Sequence, residues 1–202
     1  MLDAHGLILA GGLARRLGGV DKAKIEIGGE TILGRLVRRL APQCAGLTLN
    51  ANGDPERFGV FGLAVVPDSV PGFAGPLAGV LAGLDHVAAH LPDVDYIVSV
   101  PADTPFVPHD LVLRLRQARA NGAEIAVASS GGREHHAVAL WPVALRNELR
   151  RALEQEELRK VSGFIARYVN VAVDWPVEPY DPFFNVNRPE DLALAEELAR
   201  YD

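Results

Sequence analysis

Cysteine is almost absent: Cys44 stands alone in 202 residues, which excludes an intrachain disulfide and a cysteine-rich zinc site. Long apolar runs are missing as well, since no stretch approaches the ~18 residues that a membrane-spanning helix needs. The amino terminus, MLDAHGLILAGG, holds an acidic residue and only the short apolar run 7–10 before Gly11. It fits neither a secretory leader nor an anchor, so the expected location is the cytoplasm. Positive charge is in deficit: 20 Lys and Arg against 26 Asp and Glu leave a formal net charge of −6. That argues against general binding to nucleic acid or to a membrane surface. Any anion the chain handles must be held by a local cationic site. Repeats, low-complexity blocks and Ser/Gly linkers are missing too, and residues 1–202 read as one domain with a full core.

What is present is an alternation of strands and helices. Apolar runs at 5–10, 46–51, 62–68, 94–103, 124–130, 136–142 and 170–175 read as strands. The near-continuous β-branched run in VDYIVSVPAD marks residues 94–103 as a central, buried strand. Helical spacing covers 31–43, where apolar residues fall at 32, 33, 36, 37 and 40, and also covers 75–90, 108–122 and 188–201, with a further helix beginning near 143. Pro76 and Pro189 suit first helical positions, and Gly122 suits a helix end. Strands separated by helices predict βαβ units, an α/β class and a mostly parallel sheet. In such sheets ligands sit beyond the carboxyl ends of the strands. Three polar clusters fall at such ends: residues 10–22, 50–52 and 102–105.

The first of these is the local cationic site. In LAGGLARRLGGVDK (9–22), Gly11 and Gly12 follow the strand directly, so the backbone can turn sharply and present N–H groups with no Cβ in the way. Arg15, Arg16 and Lys22 add charge that suits an anion, and Gly18 and Gly19 allow a second close approach. The loop is neither a Walker A sequence nor GxGxxG. The bland alternative is a surface turn with solvated arginines.

This loop resembles the signature of nucleotidyltransferases that couple a nucleoside triphosphate to a phosphorylated acceptor, and within them it is similar to the molybdenum cofactor guanylyltransferase (MobA) family. The likeness continues through NAN (50–52), PD (67–68), GPLAG (75–79), ADTPFVP (102–108), HHAVAL (135–140) and NVNRPEDL (185–192). It implies a single-domain, three-layer, Rossmann-like nucleotidyltransferase fold, with GTP bound by the amino-terminal half and the acceptor by the carboxyl-terminal half. It implies transfer of GMP from GTP to the terminal phosphate of molybdopterin, with Mg²⁺ as cofactor and Mn²⁺ as its alternative. Residue by residue, the backbone of Leu9, Ala10, Gly11 and Gly12 would hold the base and phosphates of GTP. Arg16 and Lys22 would meet the triphosphate, Asn50 and Asp68 would contact GTP, and Asp103 would ligate the metal. Asn185 and Asn187 would lie on the acceptor side. Implied protein partners are other cofactor-biosynthesis proteins or molybdoenzyme chaperones. The chain departs from the family at His135-His136, where the family often has His-Pro; without that proline the segment is expected to be a more mobile loop.

Each position also has a plainer reading. Asp103 could cap a turn or helix, Asp68 could shape the turn after its strand, and Asn50 and Asn52 tolerate turn geometry. Lys22 could be solvated. Asn187 could cap the last helix, which leaves Asn185 without a role. Adjacent histidines on a strand point to opposite faces, so His135 and His136 are poorly placed to share one ion, and each reads best as a satisfied polar side chain. The charged run 154–160 reads as a solvated helix face. Two other functions stay open: a CTP-dependent or other small nucleotidyltransferase, and a GTP-binding module that does not turn over.

Overall fold

The apolar run at the front forms strand β1 (Ala4–Leu9), which lies in the middle of the sheet. A computed structural model describes residues 3–11, 25–70, 72 and 75–201. On one side of β1 come β4 (Leu47–Asn50) and then β5 (Ala64–Val66). On the other side come β6 (Tyr96–Pro101), β8 (Arg133–Pro142), β7 (Ile125–Ser130) and β9 (Asn170–Trp175). Among the described residues these seven strands form one sheet, and β8 alone runs against the others. The sheet is therefore mostly parallel. A separate small ribbon pairs β2 (Glu26–Ile27) with β3 (Glu30–Thr31).

Antiparallel β8 arises from a local device that the strand pattern did not reveal. Gly131 and Gly132 adopt φ of +55° and +76°, the left-handed pair that a two-residue hairpin turn demands, and they fold β8 back onto β7. The ladder then slips. Val127 faces Ala139, yet the next residue, Ala128, faces His135, so His136–Val138 bulge from the pairing. His135 is thus paired and His136 begins the bulge, both within β8 and not in the mobile loop expected from the missing proline.

Helices cover both faces. Helices α1 (Ile32–Leu40) and α3 (Leu111–Ala120) pack Leu33, Leu36, Leu40, Leu111 and Leu115 on the face that carries Ile8, Val98 and Leu140. Helices α2 (Pro76–His90), α4 (Arg146–Glu154) and α5 (Val161–Ile165) pack on the face that carries Leu7, Ile97 and Trp141. The alternation of Leu7 and Ile8 between these two cores is the period-2 rule of a strand buried on both sides. Trp141 is fully buried because its indole N–H finds a partner, Ser99 Oγ at 2.8 Å. Helix α6 (Pro189–Leu198) joins the β2–β3 ribbon and the 180–186 segment in a third, smaller core around Ile27, Phe106 and Val186.

The register decides where polar residues emerge. Leu9 lies opposite both Asn50 and Pro101, and Asn50 lies opposite Val66. Four parallel strands therefore end at one level. The residues that follow them, Ala10-Gly11, Ala51-Asn52, Pro67-Asp68 and Ala102-Asp103, leave the sheet along a common edge.

Candidate active site

At that edge the sheet itself uses some of the backbone groups that the sequence assigned to a ligand. Ala10 donates its N–H to Asn50 at 2.8 Å, and the Leu9 carbonyl accepts from Ala102 at 3.0 Å. Among the described residues, Gly11 N–H is the first backbone donor past the strand with no protein partner. Gly11 is exposed. A Cβ there would meet Asn50 Oδ1 at an ordinary 3.6 Å, so the surrounding fold does not itself demand glycine. Gly12, Arg16 and Lys22, like Arg15, Gly18 and Gly19, lie outside the described residues.

Asn50 and Asp68 meet, as parallel neighbours with matched ends must. Asn50 is 2% exposed; its amide nitrogen donates to the Val66 carbonyl at 3.2 Å and to Asp68 Oδ1 at 3.0 Å. Asn52 donates to the second Asp68 oxygen at 2.8 Å, and its own oxygen accepts the Asp68 N–H at 2.9 Å. Two strand ends are thereby locked together, and the carboxylate is fixed in one orientation with two amide donors. Burying Asn50 is tolerable because both hydrogens of its amide are used.

Helix α2 closes over this network through Gly79, whose role the sequence did not disclose although it ends the GPLAG block. A Cβ at Gly79 would lie 2.3 Å from Asn50 Oδ1 and 2.8 Å from Leu9 Cδ2. Only a hydrogen at that position lets the helix approach the strand ends so closely. Glycine is required by the fold at 79, whereas at 11 it leaves room.

Asp103 stands across β1 from this network, past the end of β6, on a segment held from beneath. The Arg39 guanidinium, 5% exposed on α1, donates through Nε to the Val107 carbonyl at 2.7 Å. Gln43 donates to the Pro108 carbonyl and accepts the Val112 N–H. Burial pushes the Arg39 pKa below its ordinary value, with Tyr180 opposing. Next to Asp103, Thr104 is 1% exposed, and its hydroxyl has no hydrogen-bond partner among the described residues. Such an orphan costs about 1–3 kcal/mol, an expense concentrated beside the candidate metal ligand.

The carboxyl-terminal segment comes to Asp103 from 82 residues away. Asn185 donates through Nδ2 to Asp103 Oδ1 at 3.3 Å, and the Val186 N–H donates to the Asp103 carbonyl at 2.9 Å. Asn185 is exposed beside that carboxylate. The cap of α6 differs from the sequence reading. Its N-cap is Arg188, and the Asp191 carboxylate closes the helix by accepting the N–H groups of Asn187 and Arg188, each at 2.8 Å.

The two histidines have separate surroundings. His135 bonds Ser130 through Nε2 at 2.7 Å and lies against the Phe183 ring, 4.8 Å between centroids. His136 reaches Glu134 at 3.0 Å. Burial holds the His135 pKa below its usual value, with Asp181 opposing and Arg133 and His136 reinforcing the shift. Ser130 and Asp181, which also bond each other at 2.8 Å, had no signal in the sequence beyond their residue types.

The sequence profile of the MobA-like NTP transferase domain matches residues 6–171. The chain is 59% identical to a molybdenum cofactor guanylyltransferase of Rhodopseudomonas palustris strain BisB5, over 97% of this chain and 94% of that protein. It is 46% identical to the molybdenum cofactor guanylyltransferase of Rhizobium meliloti, over 96% of this chain and 91% of the relative. Among solved structures, molybdopterin-guanine dinucleotide biosynthesis protein A of Archaeoglobus fulgidus superposes with a TM-score of 0.74 at 21% identity, covering 98% of this chain and all of that one. The 4-diphosphocytidyl-2C-methyl-D-erythritol synthase of Anaerococcus prevotii superposes at 0.72 with 14% identity, covering 98% and 96%. At such identities the structural likeness speaks for the fold alone. The second of these neighbours is named for a cytidyl product, so the fold by itself selects no base.

Proposed function

The chain belongs to the MobA-like NTP transferase family, and from that premise we propose that it transfers GMP from GTP to the terminal phosphate of molybdopterin, releasing pyrophosphate and forming the guanine dinucleotide cofactor. The observation that carries this reading is the near-full-length likeness to guanylyltransferases. The level strand ends support it, since Gly11, the Asn50–Asp68 pair and Asp103 stand at or just past the ends of neighbouring parallel strands.

In this reading Gly11 and Gly12, with the backbone of Leu9 and Ala10, border the base and phosphates of GTP. Arg16 and Lys22 neutralise the triphosphate. Asp68, fixed by Asn50 and Asn52, offers an oriented acceptor to N–H groups of the nucleotide. Asn185 and Asn187 serve the acceptor side. An oxygen of the acceptor's terminal phosphate attacks the α-phosphorus of GTP; the bond to the β-phosphate oxygen breaks and pyrophosphate leaves. No covalent enzyme intermediate is required. The protein contributes alignment of the two phosphates and fixed donors where charge develops.

Nucleotidyltransferases generally use a divalent cation, and the donor set suits one. Among the described residues no group of three or more His, Cys, Asp or Glu could cage a metal. Mg²⁺ does not need a cage, since it keeps waters and binds through one or two carboxylates together with substrate phosphates. Asp103, at the edge and beside an exposed amide, meets that requirement, and Mg²⁺ is the ion we assign to it, with Mn²⁺ the alternative. When bound, the cation would neutralise phosphate charge at the transfer site. No helix among the described residues is long and apolar enough to cross a membrane; we place the protein in the cytoplasm, with cofactor-biosynthesis proteins or molybdoenzyme chaperones as its protein partners.

Competing GTP, CTP and ATP, with molybdopterin as acceptor and pyrophosphate release as readout, tests the reading. Preference for GTP is expected. Equal or faster turnover with CTP would make the chain a cytidylyltransferase on the same fold, and GTP binding with no metal-dependent pyrophosphate release would make it a binding module.

A further inference from the structure

Two hydrogen bonds on one buried hydroxyl place a hydrogen on one nitrogen of a histidine. Ser130 is 2% exposed at the carboxyl end of β7. Its Oγ lies 2.8 Å from Asp181 Oδ1 and 2.7 Å from His135 Nε2. Asp181 Oδ1 also accepts the Phe183 N–H at 2.9 Å, so it acts as an acceptor in both contacts. A hydroxyl has one hydrogen, and Ser130 spends it on Asp181. The hydrogen between Ser130 and His135 must then come from the imidazole. His135 therefore carries a hydrogen on Nε2, and in the neutral form that its burial favours, Nδ1 carries a lone pair.

The order of these groups is not that of a nucleophilic triad. The hydroxyl sits between imidazole and carboxylate, and its proton points away from the base that would have to remove it. The arrangement instead aims an acceptor. His135 is half-buried, and among the described residues the hydrogen bond of its ring is the one through Nε2, not Nδ1. Its partner Ser130 stands at the level of the ligand edge: Ala126 and Val98 both face Leu140, so Ser130, four residues further on, reaches the level of Ala102 beside Asp103, with β8 between them. The ring packs on Phe183, and two residues beyond Phe183 is Asn185, which bonds Asp103.

We propose that His135 Nδ1 is a specificity-determining hydrogen-bond acceptor for the acceptor substrate, receiving a ring N–H or exocyclic amine of the pterin, with Ser130 and Asp181 as the relay that sets the tautomer. The proposal rests on molybdopterin being the acceptor.

The test has a spectroscopic and a kinetic arm. Long-range proton–nitrogen correlation spectra of the full chain, labelled at its histidine nitrogens, read the tautomer directly. A pyrrole-type Nε2 and a pyridine-type Nδ1 are expected for His135, shifting toward a mixture in Ser130→Ala. Protonation on Nδ1 in the wild type would overturn the proposal. In the kinetic arm, His135→Gln keeps a donor toward Ser130 but offers no acceptor at the Nδ1 position. The KM for molybdopterin should rise about three- to tenfold, as for one lost hydrogen bond, while the KM for GTP holds. His135→Asn places an amide oxygen near the Nδ1 position and should recover most of that loss. A folded His135→Gln with unchanged pterin KM would sink the proposal and leave the guanylyltransferase reading standing. Absence of pterin-dependent pyrophosphate release from the wild type would remove both.

Discussion

Gly79→Ala adds one methyl group at the point where α2 meets the strand ends, and its consequence can be worked from three distances. The new Cβ would lie 2.3 Å from Asn50 Oδ1, 2.8 Å from Leu9 Cδ2 and 2.9 Å from Asn50 Cγ, about 1 Å short of ordinary contact at the closest. The tip of the Leu9 side chain can turn aside, but Asn50 cannot yield freely because it is tied to Val66 and Asp68. Relief therefore requires α2 to lift or Asn50 to swing and forfeit its bonds. Overpacking of this kind costs roughly 1–3 kcal/mol, and the loss of Asn50's bonds adds about 1 kcal/mol. Alanine's better helix propensity returns up to about 1 kcal/mol. The net expectation is a destabilisation of about 2 kcal/mol, or roughly 4–8 °C in Tm for a chain of this size. GTP affinity should fall as well, because Asp68 loses its orientation. Urea unfolding and calorimetric GTP titration measure the two effects. Gly11→Ala is the contrasting variant: its Cβ meets only an ordinary contact, so stability should hold within about 0.5 kcal/mol while GTP binding weakens. In an Asn50→Ala background most of the Gly79→Ala penalty should vanish, since two of the three short contacts disappear. A Gly79→Ala protein as stable as wild type would refute the reasoning and show that α2 has slack over the sheet.

Three further outcomes are expected. Asp103→Asn keeps shape but removes the charge a hard cation needs, so pyrophosphate release should drop at least a hundredfold across a Mg²⁺ titration with circular dichroism unchanged; near-normal turnover would move the metal site elsewhere. Lys22→Ala should weaken GTP binding and slow turnover roughly ten- to hundredfold, the scale of one charge-assisted hydrogen bond, and kinetics within twofold of wild type would return Lys22 to solvent. His5 is 6% exposed, bonded to Thr48 at 2.7 Å, and its pKa is pushed from 6.5 down to about 4, by burial first and by His86 second. Above pH 6.5 both folded and unfolded chains hold it neutral. Between pH 6.5 and 4 the unfolded chain binds a proton that the folded chain refuses, so stability should fall with falling pH by up to about 3 kcal/mol. Urea midpoints measured across that window should flatten in His5→Gln; an unaltered slope would mean that other groups carry the acid sensitivity.

The sequence by itself determined the fold class, the order of the main strands and helices, and the placement of Gly11, Asn50 and Asp103 at or just past the ends of strands. Each follows from information local in the chain: apolar period, glycine and proline punctuation, and polar residues placed just past apolar runs. It did not disclose what depends on contacts across the chain. Antiparallel β8 comes from two glycines read until then as a gap between strands. The need for glycine at 79 exists only because α2 lies on Asn50, 29 positions earlier, and the 55–61 and 161–165 turns of helix lack a periodic signal long enough to read. The expected mobile segment at His135 became a bulged strand because pairing with β7 supplied the order that a proline would have given. Asn185 reaches Asp103 across 82 residues, and Ser130 joins His135 to Asp181 across 51, because register brings strand ends level and the last segment returns along the same edge. Composition and spacing specify which residue types are available. Tertiary structure alone decides which hydroxyl gives its one proton to which neighbour, because that depends on distances no linear pattern encodes.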